Sequence, residues 1–142
     1  IPAYVEAAAQ LKTELTAPGQ VQSVVLTRTS FGSTPMPEGE DLKTFAKTGA
    51  TLVIHLSIRR LNYIYRELTP ILGDDALVAV LYRIGWPDQQ IILDRLDNIA
   101  SKVREKKITR TALIITGKNF KKKSDINSVL YDENFNHLFR PK

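Results

Sequence analysis

Residues Thr51-Leu-Val-Ile-His-Leu-Ser-Ile-Arg-Arg60, with the amphipathic stretch behind them, decide the fold. From Leu52 to Leu56 the run is almost wholly apolar and follows Gly49, the pattern of a strand covered on both faces in a parallel or mixed α/β sheet. Ser57 then stands where a hydroxyl can accept from the first free N–H groups of a helix. Beyond it Ile58, Leu61, Ile64, Tyr65, Leu68 and Leu72 recur at helical spacing, with Arg59, Arg60, Asn62, Arg66 and Glu67 elsewhere. Open α/β sheets place ligand sites where such strands end, although structural support alone accounts for the same pattern.

Toward the N-terminus, Ala3 to Leu15 holds good helix formers and is stopped by Pro18-Gly19. Only Ile1-Pro2 precedes it, without an initiating methionine, so a fragment or processed piece is expected. Gln22 to Thr29 reads as a β-branched strand. The stretch from Ser30 to Glu40 carries two prolines and two glycines, which forbid regular structure, and such a loop is more often functional than idle. Glu38, Glu40 and Asp41 then precede the apolar face of Leu42, Phe45 and Ala46. Helix-start electrostatics and catalysis both fit that acidic group.

Toward the C-terminus, Gly73-Asp74-Asp75 makes a turn and Ala76 to Tyr82 a second buried strand. Arg83-Ile-Gly-Trp-Pro-Asp88 is a turn with the only tryptophan, and Gln90 to Leu93 forms another strand. Leu96, Ile99, Ala100 and Val103 mark a helix ending in Arg104-Glu-Lys-Lys107, and Thr111 to Thr116 with Gly117 is a last strand. The tail from Val129 to Arg140 has enough aromatics to pack, a partner subunit being one candidate.

A chain of 142 residues with 43% hydrophobic and 25% charged residues fits one globular domain. The absence of cysteine excludes disulfides, thiolate zinc sites and cysteine nucleophiles. His55 and His137 lie far apart in sequence, which argues against a metal centre or a histidine triad. No apolar run approaches the roughly 18 to 20 residues of a membrane helix, and the start lacks the build of a secretory signal. A soluble cytoplasmic protein is the expectation.

The net charge of +5 favours anionic partners: nucleic acid, phosphates or a polycarboxylate. Lys118 and Lys121 to Lys123 carry much of that excess, and a solvated surface loop explains them equally. No phosphate-binding Gly-rich loop, nucleophile elbow or metal-ligand spacing occurs. What remains is Arg28, Arg59, Arg60 and Arg83 near predicted strand ends. Arg59 and Arg60 fall in the first turn of a helix, where the dipole disfavours cations. An anionic ligand there would offset the repulsion; side chains reaching into solvent are the alternative. Residue typing thus yields a basic α/β domain with a ligand site at strand ends, a fold that supports many functions.

Five stretches narrow the choice: Thr34-Pro-Met-Pro-Glu-Gly-Glu-Asp-Leu42, Ala50-Thr-Leu-Val-Ile-His-Leu-Ser57, Val80-Leu-Tyr-Arg-Ile-Gly-Trp-Pro-Asp88, Thr109-Arg-Thr-Ala-Leu-Ile-Ile-Thr-Gly117 and Leu130-Tyr-Asp-Glu-Asn-Phe-Asn-His-Leu-Phe-Arg140. Together, and in order, they closely resemble the precorrin-4 and cobalt-precorrin-4 methyltransferases of the tetrapyrrole methylase group, which methylate ring carbon 11 in corrin synthesis. The resemblance implies an α/β fold with a mixed open sheet flanked by helices. It further implies that residues 1–142 are the C-terminal domain of a longer protein, inactive without the N-terminal domain that completes the donor site.

Carried over by position, the resemblance assigns S-adenosyl-L-methionine to Pro2 and Ala3, Leu56 and Ser57, Val78 and Ala79, and Thr111, Ala112 and Leu113. Pro2 and Ala3 stand where the family has hydroxyl side chains, Ser33 replaces a customary arginine, and Asp94-Arg95 replaces Gly-Thr. Much of this recognition is through backbone groups in the family, out of reach of residue typing. Arg28, Arg59, Arg60 and Arg83 are our own assignment for the carboxylates of the substrate, precorrin-4 or cobalt-precorrin-4, because arginine forks suit acidic side arms. Direct displacement at the sulfonium methyl needs no metal and no covalent intermediate, so no catalytic side chain is assigned. The resemblance also implies a homodimer acting without nucleic acid or membrane. A sister tetrapyrrole methylase with another substrate, and a basic nucleic-acid-binding module without catalysis, are the alternatives.

Overall fold

Leu52, Val53 and Ile54 have no exposed surface at all, because the strand that carries them lies inside a sheet covered on both faces. The computed structural model describes residues 2–12, 14–30 and 33–120; the Lys121–Lys123 run and the aromatic tail with His137 lie outside the described residues. The elements are α1 (Ala3–Leu11), β1 (Val24–Arg28), α2 (Leu42–Lys47), β2 (Thr51–His55), α3 (Leu61–Leu72), β3 (Leu77–Tyr82), β4 (Gln90–Arg95), α4 (Ile99–Glu105) and β5 (Ala112–Thr116), with a 3-10 turn at Ile58–Arg60.

The five strands form one sheet in the order β1-β2-β5-β3-β4. β1 runs parallel to β2, with Arg28 opposite His55, and the other pairings are antiparallel. The sheet is therefore mixed and open, as expected. Since β5 opposes both β2 and β3, the carboxyl ends of β1, β2 and β3 meet the amino end of β5 along one edge.

Alternation of side chains builds two cores. Leu52, Ile54, Val78, Val80 and Ile114 pack with α2, α3 and α4 on one face. Val53, Ala79, Leu81, Leu113 and Ile115 pack with Ala7 and Leu11 of α1 and with Phe120 on the other. Ile58, Leu61, Ile64, Leu68 and Leu72 are the buried stripe read from the sequence, with Tyr65 half-buried at its margin. Burying each of these large side chains contributes about 1.5–3 kcal/mol, which seats α3 on the sheet. Among the described residues no helix is long and apolar enough to cross a membrane.

Local details depart from the sequence reading for physical reasons. Helix α1 ends at Leu11, short of Leu15, because Lys12 turns the chain at φ 55°; Leu15 is buried from a non-helical segment. Ser57 makes no cap. Its hydroxyl accepts from the Thr29 N–H (2.9 Å) and Thr29 Oγ1 (3.0 Å) and donates to the His55 carbonyl (2.7 Å). That buried knot ties the ends of β1 and β2, and the helix opens instead through the tighter 3-10 turn. Asp41 does cap α2, accepting from the Thr44 N–H (3.2 Å) and hydroxyl (2.6 Å), and the Thr44 hydroxyl holds its carboxyl below the ordinary aspartate value. Helix-start electrostatics therefore account for Asp41. Strand β4 continues through Asp94 and Arg95, beyond the predicted Leu93.

Candidate functional site

The edge where three carboxyl ends meet opens into a cleft of about 1070 Å³. β1 contributes Arg28 and Thr29; β2 and its continuation contribute His55, Leu56, Ile58, Arg59 and Arg60. β3 adds Leu81 and the turn Arg83, Ile84, Gly85 and Trp86, while Thr109 to Leu113 lead into β5. Ala3 and Glu6 of α1 close one side, and Thr34 comes from the proline-rich loop.

The backbone is strained here. Leu56 (φ 56°), Arg83 (φ 48°) and Thr111 (φ 56°) all take the left-handed conformation, which costs a side-chain-bearing residue about 1–2 kcal/mol. Three adjacent strands thus turn sharply at one rim, and Arg83 N–H donates to the Thr111 carbonyl at 3.0 Å to join two of them. Leu56 is left 84% exposed by its turn, an apolar side chain offered to the cleft. Strained backbone of this kind concentrates at functional sites.

The four predicted arginines all line the cleft, together with Arg110. Three are steadied by neutral backbone carbonyls: Arg28 on Thr29 (2.8 Å), Arg59 on Thr109 (3.1 Å) and Arg60 on Ser30 (3.1 Å). Arg60 also stacks on Tyr63, 4.6 Å from the ring centroid. Carbonyls orient a guanidinium without cancelling its charge, and among the described residues no carboxylate pairs with these three, which leaves them open to an anion. Arg83 differs. Its Nε donates to Asp88 at 2.9 Å and its guanidinium lies 4.7 Å from the Trp86 ring centroid. The hydrogen bond to Asp88 raises the Arg83 pKa, and the same bond lowers that of Asp88.

Of the residues assigned to the methyl donor, Ala3, Leu56, Thr111, Ala112 and Leu113 line the cleft. Pro2 does not, and Ser57 lies beneath with its hydroxyl spent on Thr29 and His55. Val78 and Ala79 sit toward the other end of β3, opposite Thr116 and Ile115. Their side chains are 1% and 0% exposed and fill the two cores. Any contact of theirs with an adenosine would therefore run through the backbone rather than through these side chains. Residue typing gave no role to Ile84, Trp86 or Arg110, although the rule that sites gather at strand ends covers all three.

The chain belongs to the tetrapyrrole (corrin/porphyrin) methylases, whose family model matches residues 1–100. Among its relatives, the precorrin-4 C(11)-methyltransferase of Sinorhizobium sp is 43% identical over 140 residues, covering 99% of this chain and 55% of that protein. The crystal structure of a cobalt precorrin-4 methyltransferase, a cobalamin biosynthetic enzyme, is similar at a TM-score of 0.77 and 32% identity, covering 82% of this chain and 49% of the other. A uroporphyrin-III C-methyl transferase from Thermus thermophilus complexed with S-adenyl homocysteine shares the fold at a TM-score of 0.63 and 22% identity, covering 84% of this chain and 49% of that one. The chain thus spans about half the length of the relatives it matches.

Proposed function

We propose that this chain is the C-terminal part of an S-adenosyl-L-methionine-dependent methyltransferase acting on ring carbon 11 of precorrin-4 or cobalt-precorrin-4. The observation that carries the reading is the cleft itself, where strained strand ends, an apolar wall and unneutralised arginines share one rim. The kinship with precorrin-4 methyltransferases supplies the substrate class.

The residues present fit a nucleoside sulfonium. Leu56, Ile84, Ala112 and Leu113 offer apolar surface, and backbone turned at Leu56 and Thr111 presents main-chain groups beside it. S-adenosyl-L-methionine, when bound, would supply an electrophilic methyl group to the nucleophilic ring carbon, the new carbon–carbon bond forming as the methyl–sulfur bond breaks and S-adenosylhomocysteine leaves. The protein's part is then positioning, worth roughly 7–11 kcal/mol of a barrier when reacting groups are held in line. Arg28, Arg59 and Arg60 engage the acidic arms of the macrocycle and set its face toward the donor, with Arg83 at the same rim. From the resemblance the proposal also takes a cytoplasmic homodimer that needs neither nucleic acid nor membrane.

Replacing Arg59 and Arg60 by alanine in the complete protein tests it. Calorimetry should find tetrapyrrole affinity reduced about 10-fold or more, since charge-assisted hydrogen bonds contribute about 1.5–3 kcal/mol each, with S-adenosylhomocysteine affinity nearly unchanged. Equal loss of both would reject the assignment.

A further inference from the structure

Trp86 leaves 58% of its surface exposed at the mouth of the cleft, an unusual place for the largest apolar side chain. Its ring is not adrift. The guanidinium of Arg83 lies 4.7 Å from its centroid, and Asp88 holds that guanidinium by a 2.9 Å bond. The turn is braced from behind as well: Gly85 N–H donates to Gln89 Oε1 (2.9 Å), and Gln89 Nε2 donates to Gln10 Oε1 on α1 (3.1 Å). Fixing an exposed indole this firmly removes the ordering cost a partner would otherwise meet.

We propose that Trp86 is a stacking platform for the face of the tetrapyrrole macrocycle, with Arg83 and Asp88 as the positioning residues that hold it; this rests on the function proposed above. Charge separates Arg83 from its neighbours. Arg28, Arg59 and Arg60 face neutral carbonyls, whereas Arg83 faces a carboxylate that already balances it. A balanced guanidinium is a poor receiver for another carboxylate and a good brace for an aromatic ring. Large conjugated rings prefer offset or edge contacts with an indole, and a macrocycle is wide enough to reach Trp86 while its acidic arms lie among the other arginines. The donor's adenine is the competing occupant. It suits the wall beside Leu56 and Ala112, where backbone turned at Leu56 and Thr111 presents main-chain groups to its ring nitrogens, better than the open rim.

The test uses the complete protein and three variants: Trp86→Ala, Trp86→Phe and Asp88→Asn. Methyl transfer gives KM for precorrin-4 or cobalt-precorrin-4, whichever the wild type turns over, and calorimetry gives the Kd of S-adenosylhomocysteine. Trp86→Ala should raise the tetrapyrrole KM about 10-fold, the scale of one lost aromatic contact together with its buried area. In the same variant kcat and the S-adenosylhomocysteine Kd should stay within about 2-fold of wild type. Trp86→Phe should recover most of the KM, and Asp88→Asn should raise it to a lesser degree without moving kcat, because the brace then lacks its charge. Tetrapyrrole KM unchanged in Trp86→Ala overturns the platform while leaving the proposed function intact. Equal loss of S-adenosylhomocysteine affinity overturns it in favour of an adenine contact or a collapsed turn. A wild-type protein that turns over neither tetrapyrrole rejects the proposed function and the platform together.

Discussion

The two edges of the sheet both turn the chain at positive φ but with different residues. At the edge away from the cleft, Gly49 (φ 83°) and Gly73 (φ 87°) lead into β2 and β3, so the positive φ is free of steric cost. At the cleft edge, Leu56, Arg83 and Thr111 take positive φ with their side chains intact. The charges divide in the same way. Arg28, Arg59, Arg60 and Arg110 line the cleft beside Arg83, which Asp88 balances, while Asp74 sits at the far edge, accepting from Tyr65 (2.9 Å) and Thr69 (2.6 Å). There too Arg95 is neutralised by Asp97 at 2.9 Å. Positive φ is not confined to the cleft, since Lys12 (φ 55°) and Lys107 (φ 57°) share it, but the cleft edge joins three such residues to unbalanced charge. Strain persists only where the surrounding structure over-determines it, which is why the cleft edge identifies the site.

The largest test removes what both edges share. Ile114 is wholly buried, with Ile54 and Val80 as cross-strand partners. Ile114→Ala should cost about 2–5 kcal/mol in denaturant unfolding. A loss below about 1 kcal/mol would mean that the two edges do not hang on one core.

A smaller and sharper test exchanges the two kinds of turn. Gly49→Ala should destabilise by about 1–2 kcal/mol through its positive φ alone, because an added Cβ meets nothing nearer than Asn119 at 3.8 Å. Thr111→Gly should do the reverse, stabilising by up to about 1 kcal/mol, while methyl transfer by the complete protein falls. If both substitutions destabilise, the strain assigned to the cleft edge is not there.

The smallest effect concerns pH at the relaxed edge. Bonds from Thr69 and then Tyr65 hold the Asp74 carboxyl below its ordinary value of 3.8. A depressed carboxylate stabilises the fold above that value, and the gain disappears as pH falls through the folded-state pKa. Asp74→Asn should therefore lower Tm near neutrality and narrow the gap to wild type below about pH 4. A gap that widens with acid would reverse the sign and reject the assignment.

How much of this was legible in the sequence follows from the range of each interaction. β2, β3 and β5 announced themselves because each is a short run of core residues. Arg28, Arg59, Arg60 and Arg83 were found by the strand-end rule, and all line the cleft. Ser57 was misread because its partner, Thr29, lies 28 residues away, and no local pattern carries that information. Val78 and Ala79 rest on positional carry-over alone, whereas the strand-end rule points to Ile84 and Trp86 past the end of β3, which line the cleft. The left-handed turns at Leu56, Arg83 and Thr111 have no sequence signal, since nothing in those residue types favours positive φ.

The measurement closest to the central claim is methyl transfer by the complete protein from labelled S-adenosylmethionine to precorrin-4 and to cobalt-precorrin-4, with the new carbon located by NMR. The prediction is a single labelled methyl on ring carbon 11 of one or both. No transfer to either, or a methyl on another ring carbon, would contradict it.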